Sequence, residues 1–438
     1  MQCVILAAGS GSRLSSLYNS KPLLPVLGVP LIERNIRSIS EAGITDFIVV
    51  TGHRAQEVQS FLQGLAARLG LSIRCIHNAE WDTSENGRSV LAAEPEVKGA
   101  FLLAMADHLV EPALVRQLAG QRGDAVLTLG VDYRLDNPSV DRADVTRVRD
   151  SAGCLEAIGK GLESFNGWDT GFFLCRRPAV FFEILRQGCA EGHSRLTDAV
   201  ARLAEERQVQ TVDMGDHYWN DVDSPRQLKL AEQWLLDRSR GKRRDGFVAR
   251  YLNRPLSIRL SRYLAETAVT PTQISLISFV MSLQAAILLG IGAAATLTIG
   301  GVLAQFASII DGCDGEIARL KHQESEYGGW LDAVLDRYAD AALLVGLTWA
   351  LSHTHGNGAW LLGSLALAGS FMVSYTADKY DNWVQQQNIA YWRIGRDLRV
   401  LLIAIAAISG WVMEVLVLIA VVMNGEALRR VWVLRPKA

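Results

Sequence analysis

Residues 311–340 read DGCDGEIARLKHQESEYGGWLDAVLDRYAD, and they sit where charge is costly. Residues 267–310 before them and 341–377 after them contain no Asp, Glu, Lys or Arg. Each run exceeds the roughly 20 residues that cross a bilayer, so the passage belongs to a membrane domain. Within it, Asp311 and Asp314 are three apart, and Asp332 and Asp336 four apart. Either spacing puts both carboxylates on one face of a helix. Two such faces turned towards each other make an all-oxygen site suited to one or two Mg²⁺ or Mn²⁺ ions. Carboxylates at membrane depth mark function by default, because burying them is expensive. A purely structural salt-bridge role would need basic partners, and the only arginines within the stretch are Arg319 and Arg337.

Working outward, the character of the chain changes near residue 238. The 438 residues suffice for two domains, and the net charge of −2 argues against a nucleic-acid partner. Six cysteines are scattered without a CxxC pair, which points to ordinary reduced thiols rather than zinc or disulfides. The apolar run CVILAAG is too short for a secretory signal and lacks a basic start, so the N-terminal domain is expected in the cytosol. Residues 1–237 alternate short β-rich runs (QCVILAA, DFIVVTG, SIRCIHN, AFLLAMAD, DAVLTLGVD) with amphipathic helical segments. That alternation predicts an α/β domain, a mostly parallel Rossmann-like sheet covered on both faces, with ligands at the carboxyl ends of its strands.

Residues 238–270 form the boundary. Between 238 and 262 lie nine Lys or Arg against Asp245 alone, interleaved with Leu, Ile, Phe and Tyr. This predicts a juxtamembrane amphipathic helix on anionic headgroups. Residues 271–438 form the all-α transmembrane domain. The candidate loops at 292–298, 353–358 and 409–412 lack Lys and Arg, whereas those at 319–329 and 378–399 and the tail are basic. The positive-inside rule then places the basic loops and both ends of this domain in the cytoplasm. An even number of spans follows, six by our count, with a helical turn near Ser409–Gly410. The expected location is the cell (inner) membrane, multi-pass, with the N-terminal domain cytoplasmic.

The N-terminal stretch LAAGSGSRL places Gly9 and Gly11 directly after a strand, where backbone N–H groups can approach phosphate oxygens. Lys21 follows closely enough to neutralise the same phosphates. Asp107 ends the fourth strand, and WNDVDSPRQL offers Asp221 and Asp223 ahead of a helix. Together these residues resemble the sugar-phosphate nucleotidyltransferase family over residues 1–237. The resemblance implies in-line attack of a phosphate monoester on the α-phosphate of a nucleotide, with pyrophosphate leaving. It also implies triphosphate binding by Gly9, Gly11, Arg13 and the catalytic Lys21, and metal binding by Asp107, Asp223 and Asp221. ENGRSVL, with Asn86 and Ser89, is similar to the segment that meets the nucleotide in choline- and inositol-phosphate cytidylyltransferases. In IGKGLESFNGWDTGFFLC, Lys160 would hold the monoester phosphate and Asp169 would accept from substrate hydroxyls.

The membrane passage, written Asp311-x2-Asp314-Gly315-x2-Ala318-Arg319-x8-Gly328-x3-Asp332-x3-Asp336, is the complete signature of the CDP-alcohol phosphotransferase family. The resemblance implies a six-helix, usually dimeric fold with its metal site at the cytoplasmic surface. The four aspartates would hold Mg²⁺ or Mn²⁺, and Asp336 would also deprotonate the attacking hydroxyl. Gly315 and Gly328 would admit cytidine, and Arg319 would bind the diphosphate. Departures from the family pattern at Thr272 and Ala377 leave the acceptor open. Lys379, Arg393, Arg396 and Arg399 are cations available for an acceptor phosphate.

The fused arrangement resembles the family that joins an inositol-1-phosphate cytidylyltransferase to a di-myo-inositol-phosphate-phosphate synthase. It implies CTP, inositol 1-phosphate and CDP-inositol as substrates, a lipid bilayer around the second half, and a homodimer. Two alternatives remain at this stage: the same folds acting on a lipid alcohol, or an inactive nucleotide-binding N-domain on a working transferase.

Overall fold

The strand Gln2–Ala7 is buried along its whole length and feeds two cores at once. Cys3, Ile5 and Ala7 join one cluster of buried residues, and Val4 and Leu6 join another. Successive strand residues point to opposite faces, so a strand covered on both sides reads as one unbroken apolar run. The computed structural model describes residues 1–11, 13, 18–241, 246–387 and 395–435. It separates into two compact units, Met1–Trp234 and Leu235–Ala438.

In the first unit, Gln2–Ala7 pairs in parallel with Asp46–Thr51 on one side and Phe101–Met105 on the other, and Ser72–His77 extends the sheet. All five anticipated strands form. The sheet is nonetheless mixed, because Gly167–Cys175 inserts antiparallel between Phe101–Met105 and Leu127–Asp132. Val209–Asp213 then adds in parallel to Leu127–Asp132, and the hairpin Arg147–Ser151/Cys154–Gly159 forms the far edge. That hairpin is hard to read in sequence, since Arg147, Arg149, Asp150 and Glu156 break up its apolar pattern. The central strands end side by side, with Leu6 opposite Met105. The glycine loop and Asp107 therefore emerge next to each other.

The second unit is helical. A π-type turn, Ala249–Asn253, runs into Arg254–Ala265, part of the basic amphipathic segment. Residues 242–245 of that segment lie outside the described residues. Thr270 then caps Pro271–Ile291, its hydroxyl accepting from the Gln273 N–H while the Gln273 side chain answers the Thr270 N–H. Ala294–Leu320, Glu326–His355, Asn357–Tyr375, Ala377–Gln386, Arg396–Ser409 and Val412–Val433 follow. Gly410, left-handed at φ 79°, makes the turn expected near Ser409–Gly410. Gly346 lies so near the Ala286 carbonyl that a Cβ would collide with it, and the Pro271–Ile291 and Glu326–His355 helices meet there almost backbone to backbone.

Among the described residues, three helices are long and apolar enough to cross a membrane: Pro271–Ile291, Ala294–Leu320 and Asn357–Tyr375. The remaining long helices fall short of that criterion for visible reasons. Glu326–His355 carries the aspartates, Arg396–Ser409 has only 14 residues, and Val412–Val433 holds Glu414, Glu426, Arg429 and Arg430. Ile277, Ile287, Phe306, Val421 and Leu428 are exposed on these helices, as a lipid-facing surface requires.

Candidate active sites

In the first unit the site begins with Gly11, whose φ of 64° suits glycine and whose added Cβ would strike the Lys21 side chain. Lys21 is therefore held directly under the loop, in a short turn, Lys21–Leu23. Its Nζ donates to Asp107 Oδ2 at 2.6 Å, contacts Asp223 Oδ1, and lies 3.8 Å from Asp221 Oδ1. Gly9, Gly11, Arg13, Lys21, Asp107 and Asp223 line one cavity of about 230 Å³. Asn86, Lys160, Asp169, Asp107 and Asp221 line a second of about 250 Å³. Ser89 is buried, and its hydroxyl accepts from Asn78 at 3.0 Å.

Two residues that the sequence did not single out complete this site. Asp144 bridges Arg13 Nη1 at 2.6 Å and Lys160 Nζ at 2.7 Å, tying together cations expected at opposite ends of the substrates. The Arg13 hydrogen bond, with Lys160, holds the Asp144 carboxyl down at about 2. His108 is buried with Nδ1 2.8 Å from Asp107 Oδ1, stacked against Trp219. Burial works against charge on His108, but Asp221 and Asp107 outweigh it and raise its pKa. Burial also pushes up Asp107, yet Lys21 and His108 hold it well below the usual carboxylate range. Asp221 goes the other way, raised by burial and by the Asp107 charge. Burial pushes Asp169 up to about 6, partly offset by the Gly171 N–H that donates to its Oδ1 at 2.8 Å.

The donor set fits a divalent metal. Asp107, His108 and Asp221 each offer a ligand atom within 4.8 Å of the others. The buried Asp221 Oδ1 has no hydrogen-bond partner among the described residues, an orphan atom that a cation would satisfy.

In the second unit, Ala294–Leu320 and Glu326–His355 bring Asp311, Asp314, Asp332 and Asp336 to the wall of one cavity of about 390 Å³. Ligand oxygens of Asp311, Asp332 and Asp336 lie within 4.8 Å of one another, the all-oxygen arrangement the spacing predicts. Two serines on the first apolar helix orient these acids. Ser275 donates to Asp314 Oδ2 at 2.5 Å and Ser278 to Asp311 Oδ1 at 2.6 Å. Their i, i+3 spacing, which puts both hydroxyls on one face of a mostly apolar helix, is the signal that points to them. A neighbouring cavity of about 340 Å³ is lined by Thr272, Asp314, Gly315, Arg319, Gly328 and Asp332. Arg319 Nε donates to the Ser239 carbonyl at 2.7 Å.

The basic residues expected to meet an acceptor part company. Lys379 is exposed and Arg393 lies outside the described residues. Arg396, at the start of its helix, turns into the aspartates: Nη1 is 2.6 Å from Asp311 Oδ2 and 2.8 Å from Asp336 Oδ1. Arg254, Arg337 and Arg399 line the same cavity, each from a helix: Arg254–Ala265, Glu326–His355 and Arg396–Ser409.

With this geometry established, comparison with known proteins defines the class. A MobA-like NTP transferase domain matches residues 3–213, and a CDP-alcohol phosphatidyltransferase domain matches residues 268–427. The chain is a membrane enzyme with a nucleotidyltransferase half and a CDP-alcohol phosphotransferase half, families that generally use divalent metals. The "Bifunctional IPC transferase and DIPP synthase" of Rubrobacter xylanophilus is 38% identical over 437 residues, covering 98% of this chain and 96% of that one. The like-named proteins of Aquifex aeolicus (32% identical, 96% and 95% covered) and Thermococcus kodakarensis (33%, 86% and 82%) are also similar. The chain belongs to this bifunctional family.

Proposed function

We propose that the chain makes CDP-inositol from CTP and inositol 1-phosphate, then transfers phosphoinositol from it to a second inositol 1-phosphate, releasing CMP. The observation that carries this is the pairing, in one chain, of the Lys21–Asp107 centre beneath a glycine loop with the aspartate centre around Asp336. The first yields the kind of molecule the second consumes.

In the first half-reaction, Gly9 and Gly11 admit the triphosphate to their backbone N–H groups, and Arg13 and Lys21 neutralise it. Asn86 and Ser89 sit on the helix that would face the nucleotide. Lys160 binds the monoester phosphate and Asp169 accepts from inositol hydroxyls. A monoester oxygen attacks the α-phosphorus, the bond to the β-phosphate breaks, and pyrophosphate leaves. In the second half-reaction, Asp336 takes the proton of the acceptor hydroxyl, whose oxygen attacks the β-phosphorus of CDP-inositol. The bond to CMP breaks and its oxygen keeps the electron pair. Gly315, Gly328 and Arg319 hold the CDP portion. Arg396, with Arg254 and Arg337 on the same cavity wall, receives the acceptor phosphate; Lys379 and Arg393 would add positive charge that draws it in.

Mg²⁺ or Mn²⁺, held by Asp107, Asp221, Asp223 and His108 in one site and by Asp311, Asp314, Asp332 and Asp336 in the other, would neutralise charge on the phosphoryl oxygens when bound. The basic 238–270 segment and basic loops favour six spans with the nucleotidyltransferase unit (1–237) and both ends of the membrane unit (271–438) in the cytoplasm. The protein would work there as a homodimer.

The test is to supply CTP and radiolabelled inositol 1-phosphate to detergent-solubilised enzyme. Label should pass through CDP-inositol into a water-soluble product carrying two inositols and two phosphates. Label entering the organic phase, dependent on added diacylglycerol, would overturn the acceptor assignment.

A further inference from the structure

Arg396 occupies the place where the aspartates converge. Its side chain is 11% exposed, and Nη1 alone joins Asp311 and Asp336, two of the acids whose oxygens gather within 4.8 Å. A divalent ion binding these carboxylates competes with the guanidinium for them, since two cations at one pair of carboxylates repel. Yet Arg396 has another hold. Its Nε donates to Asp340 Oδ1 at 3.1 Å, one turn beyond Asp336 and outside the sequence signature. Asp340 is itself fixed: its other oxygen accepts from Arg399 Nη2 at 2.6 Å, and Arg399 reaches Ser374 and the Ser370 carbonyl on the Asn357–Tyr375 helix. Arg399 and Asp340 are 3% and 4% exposed. Arg396 thus has an anchored edge, at Nε, and an exchangeable edge, at Nη1.

We propose that Arg396 is a displaceable counter-cation: it bridges Asp311 and Asp336 in the metal-free protein, yields them when a divalent ion binds, and pivots on Asp340 so that its freed edge meets the acceptor's phosphate. The last step rests on the phosphorylated acceptor proposed above. The planar fork of arginine suits both duties, since each partner offers paired oxygens. Asp340 is then a positioning residue, acting through Arg396. Acceptor binding would follow metal binding, and a phosphate could not settle in the cavity while the aspartates lacked their ion.

The test uses full-length protein carrying Asp107→Ala to weaken metal binding in the soluble unit, with an Asp311→Asn/Asp336→Asn control subtracted. Mn²⁺ affinity is measured by calorimetry for Arg396→Gln against the parent. Competing ligands of this kind couple by about 5- to 150-fold, so removing Arg396 should lower the Mn²⁺ Kd at least about fivefold. An unchanged or higher Kd would overturn the proposal. Thermal melting gives a second readout. Arg396→Gln should melt lower than the parent in EDTA, and the two should converge in saturating Mn²⁺; a deficit of equal size under both conditions would mean a permanent structural bridge instead. If Arg396→Gln fails to fold without metal, recovery of folding by Mn²⁺ supports displacement and lack of recovery contradicts it. Asp340→Asn should raise the acceptor's KM while sparing that for CDP-inositol, and Asp340→Glu should restore it. Metal titration involves no acceptor, so a wrong acceptor would leave that result standing, and a failed titration would leave the acceptor assignment intact.

Discussion

The two active sites solve one electrostatic problem with different materials. Each gathers acids around a central basic side chain, with further cations at the margin: Lys21 among Asp107, Asp221 and Asp223 in the soluble unit, Arg396 among Asp311, Asp336 and Asp340 in the membrane unit. Acids this close cannot all stay ionised without a cation near them. In the soluble unit the lysine is fixed by packing, pinned beneath Gly11, and doubles as a triphosphate ligand. In the membrane unit the arginine is fixed at only one edge. The soluble site also draws on loops spread from residue 9 to residue 223. The aspartates of the membrane site come from two helix faces within 26 residues, counting 311 to 336 inclusive. A site on helix faces is a local pattern; one on strand ends is a product of topology.

Two centres built this way act as chemically separate sites, and the largest expected effect tests that separation. Asp336→Asn should lower CMP release from CDP-inositol by about 10³-fold, near the middle of the range for losing a general base, while pyrophosphate release from CTP continues. Loss of both activities in a folded protein would break the two-site account. The mirror substitution, Lys21→Ala, removes charge neutralisation from the first site and should cost about 10²–10³-fold in CTP consumption. Externally supplied CDP-inositol should still be turned over. If it is not, the soluble unit does more than supply the intermediate.

How much of this was legible in sequence follows from the same contrast. Asp311, Asp314, Asp332 and Asp336 could be read directly, because a helix converts spacing into direction. The glycine loop and Asp107 stand out in sequence because each follows a recognisable strand, and Lys21 because it follows that loop closely. Asp144 was not: it lies in a loop with no periodicity, and only the folded sheet brings it between Arg13 and Lys160. The fifth strand of the sheet order, Gly167–Cys175, runs antiparallel because the chain returns through an edge hairpin, a crossover that no local pattern announces. Arg396 reads in sequence only as a cation available to an acceptor phosphate; its contact with Asp311 and Asp336 depends on how its helix docks.

A smaller effect sharpens the membrane side. Ser275 and Ser278 donate hydrogen bonds to Asp314 and Asp311, as the polar partners of metal-ligating carboxylates do. Ser278→Ala should weaken metal affinity by about 10- to 100-fold and leave the CTP reaction unchanged. Equal metal affinity in wild type and variant would mean that helix packing alone positions Asp311.

The smallest expected effect belongs to the soluble side, where an acid stands apart from the basic cluster. Asp169 lines the cavity with Lys160 but has no cation bonded to it among the described residues, and burial lifts its carboxyl to about 6. Its proposed duty, accepting from inositol hydroxyls, favours the ionised form. Because the folded pKa is raised, the proton is held below about pH 6 and lost above it. At pH 5 about a tenth of the protein would carry the carboxylate, so kcat/KM for inositol 1-phosphate should rise about tenfold from pH 5 to 7.5. The substrate's own phosphate titrates near pH ~6 as well, so the informative quantity is the ratio of wild type to Asp169→Asn. That ratio should climb through the same interval and then level off. Stability should move oppositely: the neutral buried acid favours the fold below its unfolded pKa of ordinary Asp, and that contribution is lost as pH rises through about 6. Asp169→Asn should therefore melt higher than wild type at pH 7.5 and about level with it at pH 4. A flat activity ratio together with matched melting curves at both pH values would show that Asp169 neither titrates in this range nor meets the substrate.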